Sequence, residues 1–284
     1  MAHVDLEWRP DVQHPVMVCA FGGWNYAGEA ATSAVDYLAE LWEARRFGGV
    51  DPEEFFDFQV TRPTVHLEDG LTRRIEWPAC DFLHAGVDGR DILLLSGVEP
   101  NMRWRTFAGA ICSTARELGV ELLVTLGAFL ADVPHTMPAP VTAASSDPAL
   151  VARLEVEPSR YEGPTGIVGV LHDAAREAGI PSVSVWAAAP HYLGTGANPR
   201  VELALLGKLR DLLALPIDTE EVELEADEWT VEVRKALKQD PNLAVYVQRL
   251  EEAAAEREGF GEIPSGDALA AELERFLREQ RGEG

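Results

Sequence analysis

Val16-Met17-Val18-Cys19-Ala20-Phe21-Gly22-Gly23 is the stretch that decides the fold class of this chain. Its first six residues form an apolar run typical of a buried strand, and the two glycines predict a turn directly behind it. Apolar residues then recur at three- and four-residue steps from Ala31 to Trp42, which predicts the buried face of a helix. Strand, glycine turn and helix in this order form the first unit of a parallel α/β sheet, whose ligand crevice lies at the carboxyl ends of the strands.

Short apolar runs continue this plan along the chain. They predict strands at residues 55–58, 82–87, 91–96, 121–126, 140–144 and 182–187. Helical periodicity follows Gly163 and the three cap-forming residues Asn101, Asp147 and Asn198. The alternation of strands and helices predicts an α/β core.

The segment from Arg62 to Pro78 interrupts this alternation. Asp69-Gly70 lies between two β-rich runs. Because glycine accepts a positive φ without steric cost, the pair predicts a β-hairpin at about residues 60–78. We interpret the hairpin as an insertion into the α/β plan and as a candidate arm for contact with a neighbour.

The composition changes at Asp218. Residues 218–258 hold 13 acidic and 5 basic residues. Three helical patterns follow one another, and the last of them runs from Leu269 to Leu277. We predict a core domain at residues 1–217 and an acidic helical C-terminal region at 218–284.

The overall charge excludes two classes of partner. The chain has 48 acidic residues against 24 Lys and Arg, a net charge of −24. Such a field repels phosphate backbones and anionic lipid, so we expect no nucleic-acid binding and no membrane binding. Cys19, Cys80 and Cys112 have no paired spacing, which is typical of reduced thiols. Without a signal-peptide pattern or an apolar run near ~20 residues, we expect a soluble cytoplasmic protein.

No complete cofactor or catalytic motif is present. Residues 23–28 resemble the dinucleotide fingerprint, but Asn25 replaces the glycine that lets the backbone approach a pyrophosphate. The sequence lacks a Walker loop, a Gly-x-Ser-x-Gly elbow and a zinc-type pair of histidines. We therefore expect neither a cofactor nor a dedicated metal site.

Polar residues do follow several predicted strands. We name Glu99, His135 and His191 as candidate catalytic residues for acid–base work. The candidate lining of the ligand crevice is Gly22, Gly23, Trp24, Asn25, Asn101, Arg103, Arg105, Thr136 and Tyr192. Two interpretations stay open, because these side chains either converge on one crevice or cap helices and hold loops.

Five stretches together resemble the proteasome assembly chaperone 2 family. They are Phe21-Gly22-Gly23-Trp24, Arg62-Pro63 with the Asp69-Gly70 hairpin, Val133-Pro134-His135-Thr136, Tyr161-Glu162-Gly163-Pro164-Thr165-Gly166-Ile167 and Trp186-Ala187-Ala188-Ala189-Pro190-His191-Tyr192. The resemblance spans roughly residues 15–257, and the chain looks like a bacterial branch whose activity is not established. It implies a three-layer α/β/α sandwich similar to the purine nucleoside phosphorylase/hydrolase fold, followed by a helical C-terminal region. It also implies a homo-oligomer, with a trimer as the plausible state.

The resemblance carries expectations about function as well. Eukaryotic relatives are chaperones that assemble the proteasome's α-ring, partly through a C-terminal motif of a hydrophobic residue, tyrosine and any residue. This sequence ends in Arg281-Gly282-Glu283-Gly284, a departure that counts against docking of that kind. We expect a non-catalytic assembly chaperone or scaffold that acts through protein contacts. The alternative is a nucleoside phosphorylase/hydrolase-like enzyme or small-molecule binder, in which Gly22 and Gly23 take the place of a phosphate loop and Arg103 or Arg105 supplies charge.

Overall fold

The computed structural model describes residues 3–23, 27, 29–159, 162–194, 196–237 and 241–259. The strands in this part of the chain are β1 (Val4–Leu6), β2 (Val16–Gly22), β3 (Arg45–Val50), β4 (Thr64–Glu68), β5 (Thr72–Glu76), β6 (Cys80–Val87), β7 (Arg90–Val98), β8 (Leu122–Ala131), β9 (Val141–Ser145), β10 (Glu157–Pro158) and β11 (Ser182–Pro190). The α-helices are α1 (Ala30–Leu41), α2 (Trp104–Glu117), α3 (Pro148–Leu154), α4 (Ile167–Ala178), α5 (Pro199–Leu213), α6 (Glu220–Leu237) and α7 (Pro241–Gly259).

A large mixed sheet organises these elements. Its strand order is β1-β3-β6-β7-β2-β8-β11-β9-β10, while β4 and β5 form a separate two-stranded sheet. All seven residues of β2 are buried, and β2 pairs in parallel with β7 from Val16↔Ile92 to Gly22↔Val98. Burial on both faces explains the continuous apolar run of β2. The predicted α/β class, with helices flanking a central sheet, is confirmed.

The described residues fall into two compact units. One is drawn from residues 1–24, 35–125 and 165–182, and the other from residues 25–34, 126–164 and 183–284. The predicted domain boundary between residues 217 and 218 stays a prediction, and the helix expected at 269–277 lies outside the described residues.

The first unit is built around aromatic packing beside β2 and β7. The ring of Phe107 in α2 lies 5.9 Å from Phe21 and 5.3 Å from Phe55, in edge-to-face geometry with both. Such pairs stabilise a core beyond the area they bury. The strand predicted at 55–58 is wrong, because Phe55 and Phe56 follow a 3-10 turn at Pro52–Glu54 and are both buried. The backbone of this segment bonds to a loop and in a turn and not to a strand, since Asn101 N donates to Phe55 O at 3.0 Å and Val60 N donates to Asp57 O at 2.9 Å.

The hairpin predicted at residues 60–78 is confirmed as β4 and β5. Asp69 and Gly70 have φ of 52° and 75°, the positive values that a type I′ turn requires. Leu71 N donates to Glu68 O at 3.2 Å, and the first ladder pair after the turn is Glu68↔Thr72.

The second unit contains most of β8, together with β9, β11 and the C-terminal helices. Asp147 and Asn198 cap α3 and α5 as predicted, because their side chains accept from Ala149 N and Val201 N. Gly127 in β8 is required by close packing, since a Cβ there would lie 2.6 Å from the ring of Trp186. In the described ranges, no helix is both long enough and apolar enough to cross a membrane.

Candidate functional site

The first unit carries an open cleft at the carboxyl ends of β2 and β7. Its volume is about 480 Å³, within the range of small-molecule sites. The described residues that line it are Gly23, Asp57, Val60, Thr61, Val98, Glu99, Pro100, Asn101, Met102 and Trp104. The structure thus brings together three of the predicted site residues, namely Gly23, Glu99 and Asn101.

Glu99 holds two parts of the first unit together. Its Oε1 accepts a 2.7 Å hydrogen bond from Ile167 N, in the first turn of α4. A carboxylate at this end of a helix is favourable, because it satisfies an unpaired N–H and complements the helix dipole. Gly166, at the N-cap position, supplies no side-chain hydrogen bond. Glu99 therefore serves as the cap of α4 from a distant strand end.

Gly22 and Gly23 both lie close to Glu99. Gly22 O accepts from Glu99 N at 2.6 Å. Gly23 has φ of 134°, and a Cβ at this position would lie 2.8 Å from Cβ of Glu99. Backbone conformation and the close approach of Glu99 thus explain the glycine at position 23.

Asn101 anchors a loop and does not cap α2, so the predicted cap is wrong. Asn101 Oδ1 accepts from Asp57 N at 2.8 Å and from Thr61 Oγ1 at 3.1 Å. The N-cap residue of α2 is Arg103, with φ of 57° and no side-chain hydrogen bond in the cap. The physical reason is that the Asn101 amide is already engaged by the loop that follows Phe56.

The two candidate cations do not line the cleft. Arg103 forms an ion pair with Glu54, and its guanidinium lies 5.6 Å from the centre of the Phe55 ring. Arg105 is exposed on α2. Among the described lining residues, the charged side chains are therefore the acids Asp57 and Glu99. Such a cleft does not resemble a phosphate site, which needs basic groups.

The second unit gathers His135, His191 and Tyr192 in one aromatic cluster, which α7 completes with Tyr246. Neighbouring rings of these four residues lie 5.7–5.9 Å apart and meet edge to face. Tyr246 Oη donates to Asp132 Oδ1 at 2.8 Å, and His191 Nδ1 lies 3.1 Å from the same carboxylate oxygen. Asp132 thus joins His191 to the C-terminal helix.

His135 is the most deeply buried candidate in this cluster. Its backbone N–H donates to Tyr192 Oη at 2.8 Å, and its Nδ1 lies 2.7 Å from the same oxygen. Burial lowers the pKa of His135, with a further contribution from Arg200, and burial raises the pKa of Tyr192 to about 12. Both groups are therefore neutral at pH 7.

The space beside His135 is small. Its Nε2 is buried without a hydrogen-bond partner in the described part of the chain. A void of about 10 Å³ adjoins it, lined also by residues such as Met137, Arg200 and Trp229. That volume suits one water molecule and excludes a substrate.

Thr136 continues the contact with the C-terminal helix. Its hydroxyl donates to a carboxylate oxygen of Glu251. Sequence reasoning missed Tyr246 and Glu251, because both lie on α7, more than 100 residues after their partners Asp132 and Thr136. The sequence predicted helices after Asp218, but nothing local indicated which strand end α7 covers.

Other parts of the predicted site remain as predictions. Trp24 and Asn25 lie outside the described residues. That all candidates line one crevice also stays a prediction, since Glu99 and Asn101 belong to one unit and His135 and His191 to the other. Among the described residues, no group of three His, Cys, Asp or Glu side chains could hold a metal ion.

Comparison with known proteins places this fold in a family. The model of the PAC2 family matches residues 20–237. A PAC2 family protein from Streptomyces avermitilis is 47% identical, with a TM-score of 0.76, and the match covers 82% of this chain and 99% of that one. A proteasome-assembly chaperone homologue from Mycobacterium tuberculosis is 43% identical, with a TM-score of 0.73 and the same coverage.

A third structure extends the likeness along the chain. A protein of unknown function from Mycobacterium tuberculosis is 25% identical, with a TM-score of 0.84, and the match covers 98% of this chain and 96% of that one. No curated protein matches the sequence. The family model covers well over half of the chain, and two solved relatives exceed 40% identity over nearly their whole length. This chain therefore belongs to the PAC2 family.

Proposed function

We propose that this chain is a non-catalytic assembly chaperone or scaffold that acts through protein–protein contacts. The observation that carries the proposal is its 43% identity to a proteasome-assembly chaperone homologue, over 99% of that protein. The protein complex that it helps to assemble is, on this ground, the proteasome or a related particle.

The state of the candidate catalytic residues supports a structural role for them. Glu99 caps α4, His135 bonds Tyr192 beside a void of about 10 Å³, and His191 is paired with Asp132. A general acid or base must instead reach a proton of the substrate within hydrogen-bond distance. The contacts of these three residues therefore favour stability over chemistry.

We also propose that the chain works as a homo-oligomer, with three copies as the expected number. Many soluble assemblies are symmetric homo-oligomers, whose interfaces repeat one pair of complementary surfaces. The mass of the purified chain by light scattering tests this number directly.

Reconstitution tests the assembly role. Purified proteasome α and β subunits from the same organism are mixed with an equimolar amount of this chain, and native gels follow the formation of complete particles. We expect faster formation than with the subunits alone. A Glu99→Gln variant is the control for catalysis, and it should promote assembly as well as the wild type does. Unchanged assembly kinetics, together with no complex between this chain and α subunits, would refute the proposal.

A second candidate function rests on the cleft of the first unit. Its volume of about 480 Å³ suits a small molecule, and its position at strand carboxyl ends is the usual one for α/β ligand sites. A thermal-shift screen of nucleosides, phosphate and nucleotides tests this function. A ligand at 100 times its Kd adds about 2.7 kcal/mol of stability, so the absence of any shift counts against binding.

A further inference from the structure

The small void beside His135 lies at the start of α5. The described residues that line it include His135, Trp229 and, from the start of the helix, Asn198, Arg200 and Val201. This helix has 15 residues, and a helix N-terminus attracts negative charge because its first N–H groups and its dipole face outward there. A helix end alone does not make a binding site, but here it is joined by side chains that need an acceptor.

His135 supplies a buried donor. Tyr192 Oη accepts from His135 N, so its own proton is available to His135 Nδ1, which lies 2.7 Å away. Among the described residues, the Tyr192 hydroxyl has no other acceptor for that proton. In a neutral imidazole the remaining proton then lies on Nε2, which becomes a donor. His135 is 3% exposed, and its Nε2 has no hydrogen-bond partner within the described ranges.

The orientation of the imidazole ring directs this donor to the void. The Nδ1 edge of the ring faces Tyr192, which is not among the described residues that line the void. His135 itself does line it, so the ring presents the opposite edge, which carries Nε2. Buried polar groups in proteins are nearly always hydrogen-bonded, because an unpaired one costs free energy. This N–H group therefore requires an acceptor that the described side chains do not supply.

The other polar side chains around the void offer further donors. The guanidinium of Arg200 and the indole N–H of Trp229 donate hydrogen bonds and accept none. The side-chain oxygen of Asn198 already accepts from Val201 N at 3.3 Å. A buried water makes about three hydrogen bonds and needs acceptors for its own protons. The described lining side chains therefore suit a ligand that only accepts hydrogen bonds, as a halide ion does.

Arg200 brings a positive charge that no nearby carboxylate neutralises. Its Nη2 donates to Met137 O at 3.2 Å, and its Nη1 donates to Thr230 Oγ1 at 3.4 Å. Both of these partners are neutral oxygens. In the part of the chain that the structure describes, no carboxylate oxygen lies within 4.0 Å of a nitrogen of this half-buried guanidinium. A partly buried charge without a counter-charge favours the binding of an anion.

A second guanidinium also acts on the imidazole. Burial lowers the pKa of His135, and the charges of Arg200 and Arg234 lower it further. The carboxylate of Glu251, which accepts from the Thr136 hydroxyl, acts in the opposite direction. At physiological salt, exposed charges more than about 8 Å away are screened. The net charge of −24 on the whole chain therefore does not exclude an anion here.

The volume of the void limits the ligand to a single atom. A volume of about 10 Å³ is room for one water-sized sphere, and a chloride ion is only slightly larger than a water molecule. Met137 forms part of the wall, and a flexible thioether adapts readily to its surroundings. Phosphate, sulfate and carboxylate ligands are too large for this space.

We propose that a chloride ion binds in this void, where it accepts from His135 Nε2–H beside the guanidinium of Arg200. The site joins the loop after β8 to the start of α5 and to Trp229 of α6. A bound ion therefore stabilises the packing of α6 within the second unit. This binding goes beyond the proposed function and does not depend on it, since it requires no protein partner.

Urea unfolding of the full chain tests the proposal at constant ionic strength, with sodium chloride replaced stepwise by sodium gluconate, whose anion is too large for the void. We expect the equilibrium constant of unfolding to fall as chloride rises, about 100-fold at 100 times the dissociation constant. Arg200→Gln removes the charge and should weaken chloride binding at least tenfold. Arg210→Gln is the matched control, because Arg210 lies in the last turn of the same helix, and it should keep the full chloride effect.

The quantity compared is the change with chloride, so a general loss of stability in Arg200→Gln does not imitate the expected result. If circular dichroism shows that this variant is misfolded, Trp229→Phe takes its place, since it removes an N–H donor and keeps an aromatic ring. A wild type that does not respond to chloride overturns the proposal. So does a folded variant of the void that responds as strongly as Arg210→Gln, because the effect of the salt is then a general one.

Crystals grown in sodium bromide locate the ion directly, because bromide occupies chloride sites and scatters anomalously. An anomalous peak within hydrogen-bond distance of His135 Nε2 supports the proposal. Density for a water molecule at that place, without an anomalous peak, overturns it. A bromide peak combined with no chloride effect in solution marks binding at crystal concentration only and also overturns it.

Discussion

Removal of the Tyr246 hydroxyl should loosen α7 from the rest of the second unit. In the Tyr246→Phe variant the 2.8 Å hydrogen bond to Asp132 is lost, while the rings of His191 and Tyr192 still have an aromatic partner. A hydrogen bond to a charged group contributes about 1.5–3 kcal/mol. Because the Asp132 side chain is 41% exposed, water replaces part of that bond, and we expect about 1 kcal/mol. Tyr246→Ala also removes the ring, so its cost should reach about 3 kcal/mol.

Hydrogen–deuterium exchange of peptides from α7 measures this loosening. A local opening that is easier by about 1 kcal/mol exchanges about fivefold faster, and one that is easier by about 3 kcal/mol exchanges more than 100-fold faster. Peptides from α2, which belongs to the other unit, should keep their rates. Val245→Ala is the matched control, because Val245 is an α7 residue that is 52% exposed. If Tyr246→Ala exchanges no faster than Val245→Ala, the aromatic cluster does not hold α7.

Three further predictions concern the first unit. His172 is hydrogen-bonded to Thr125 and Ser182, and burial lowers its pKa to about 4. The imidazole in the unfolded chain has a pKa near 6.5, so the unfolded chain binds the proton more readily and the free energy of unfolding falls as the pH drops from about 6.5 to 4. In urea titrations at several pH values, His172→Gln should reduce the slope of that free energy against pH by up to about 1.4 kcal/mol per pH unit. Glu99→Ala removes the cap of α4, so calorimetry should show a loss of about 1 kcal/mol and a Tm lower by about 2–4 °C; an unchanged Tm would contradict the capping role. Gly97→Ala places a Cβ 2.3 Å from a backbone oxygen, so chemical denaturation should show a loss of about 2 kcal/mol or more, and a stable variant would refute that packing.

Local sequence patterns correctly predicted the strands, turns and helix starts that depend on neighbouring residues. The apolar run of β2, the proline and cap at the start of α5, and the Asp69-Gly70 turn each depend on neighbouring residues, and all three are present. The strand predicted at 55–58 failed for a physical reason. A short apolar run fits a strand or a pair of buried turn residues equally well, and its environment decided between the two.

The candidate site was harder to predict because its contacts are distant in sequence. Glu99 was identified as a polar residue at a strand end, but its partner Ile167 is 68 positions further along. Tyr246 fitted an apolar helical stripe, which is the ordinary pattern of a helix packed on a core. Residue types at strand ends were therefore predictable, whereas their partners, and with them their roles, required the tertiary structure.

The charge of the cleft counts against one form of the enzymatic alternative, an enzyme that binds phosphate. A phosphorolytic enzyme must bind phosphate, and here the charged side chains among the described lining residues are those of Asp57 and Glu99. At an effective dielectric constant of 20, each carboxylate would disfavour a unit negative charge 4 Å away by about 4 kcal/mol. The net charge of −24 adds to this repulsion. Phosphate should therefore give no thermal shift even if a neutral nucleoside does, and a shift with phosphate alone would show that cations from elsewhere in the chain reach the cleft.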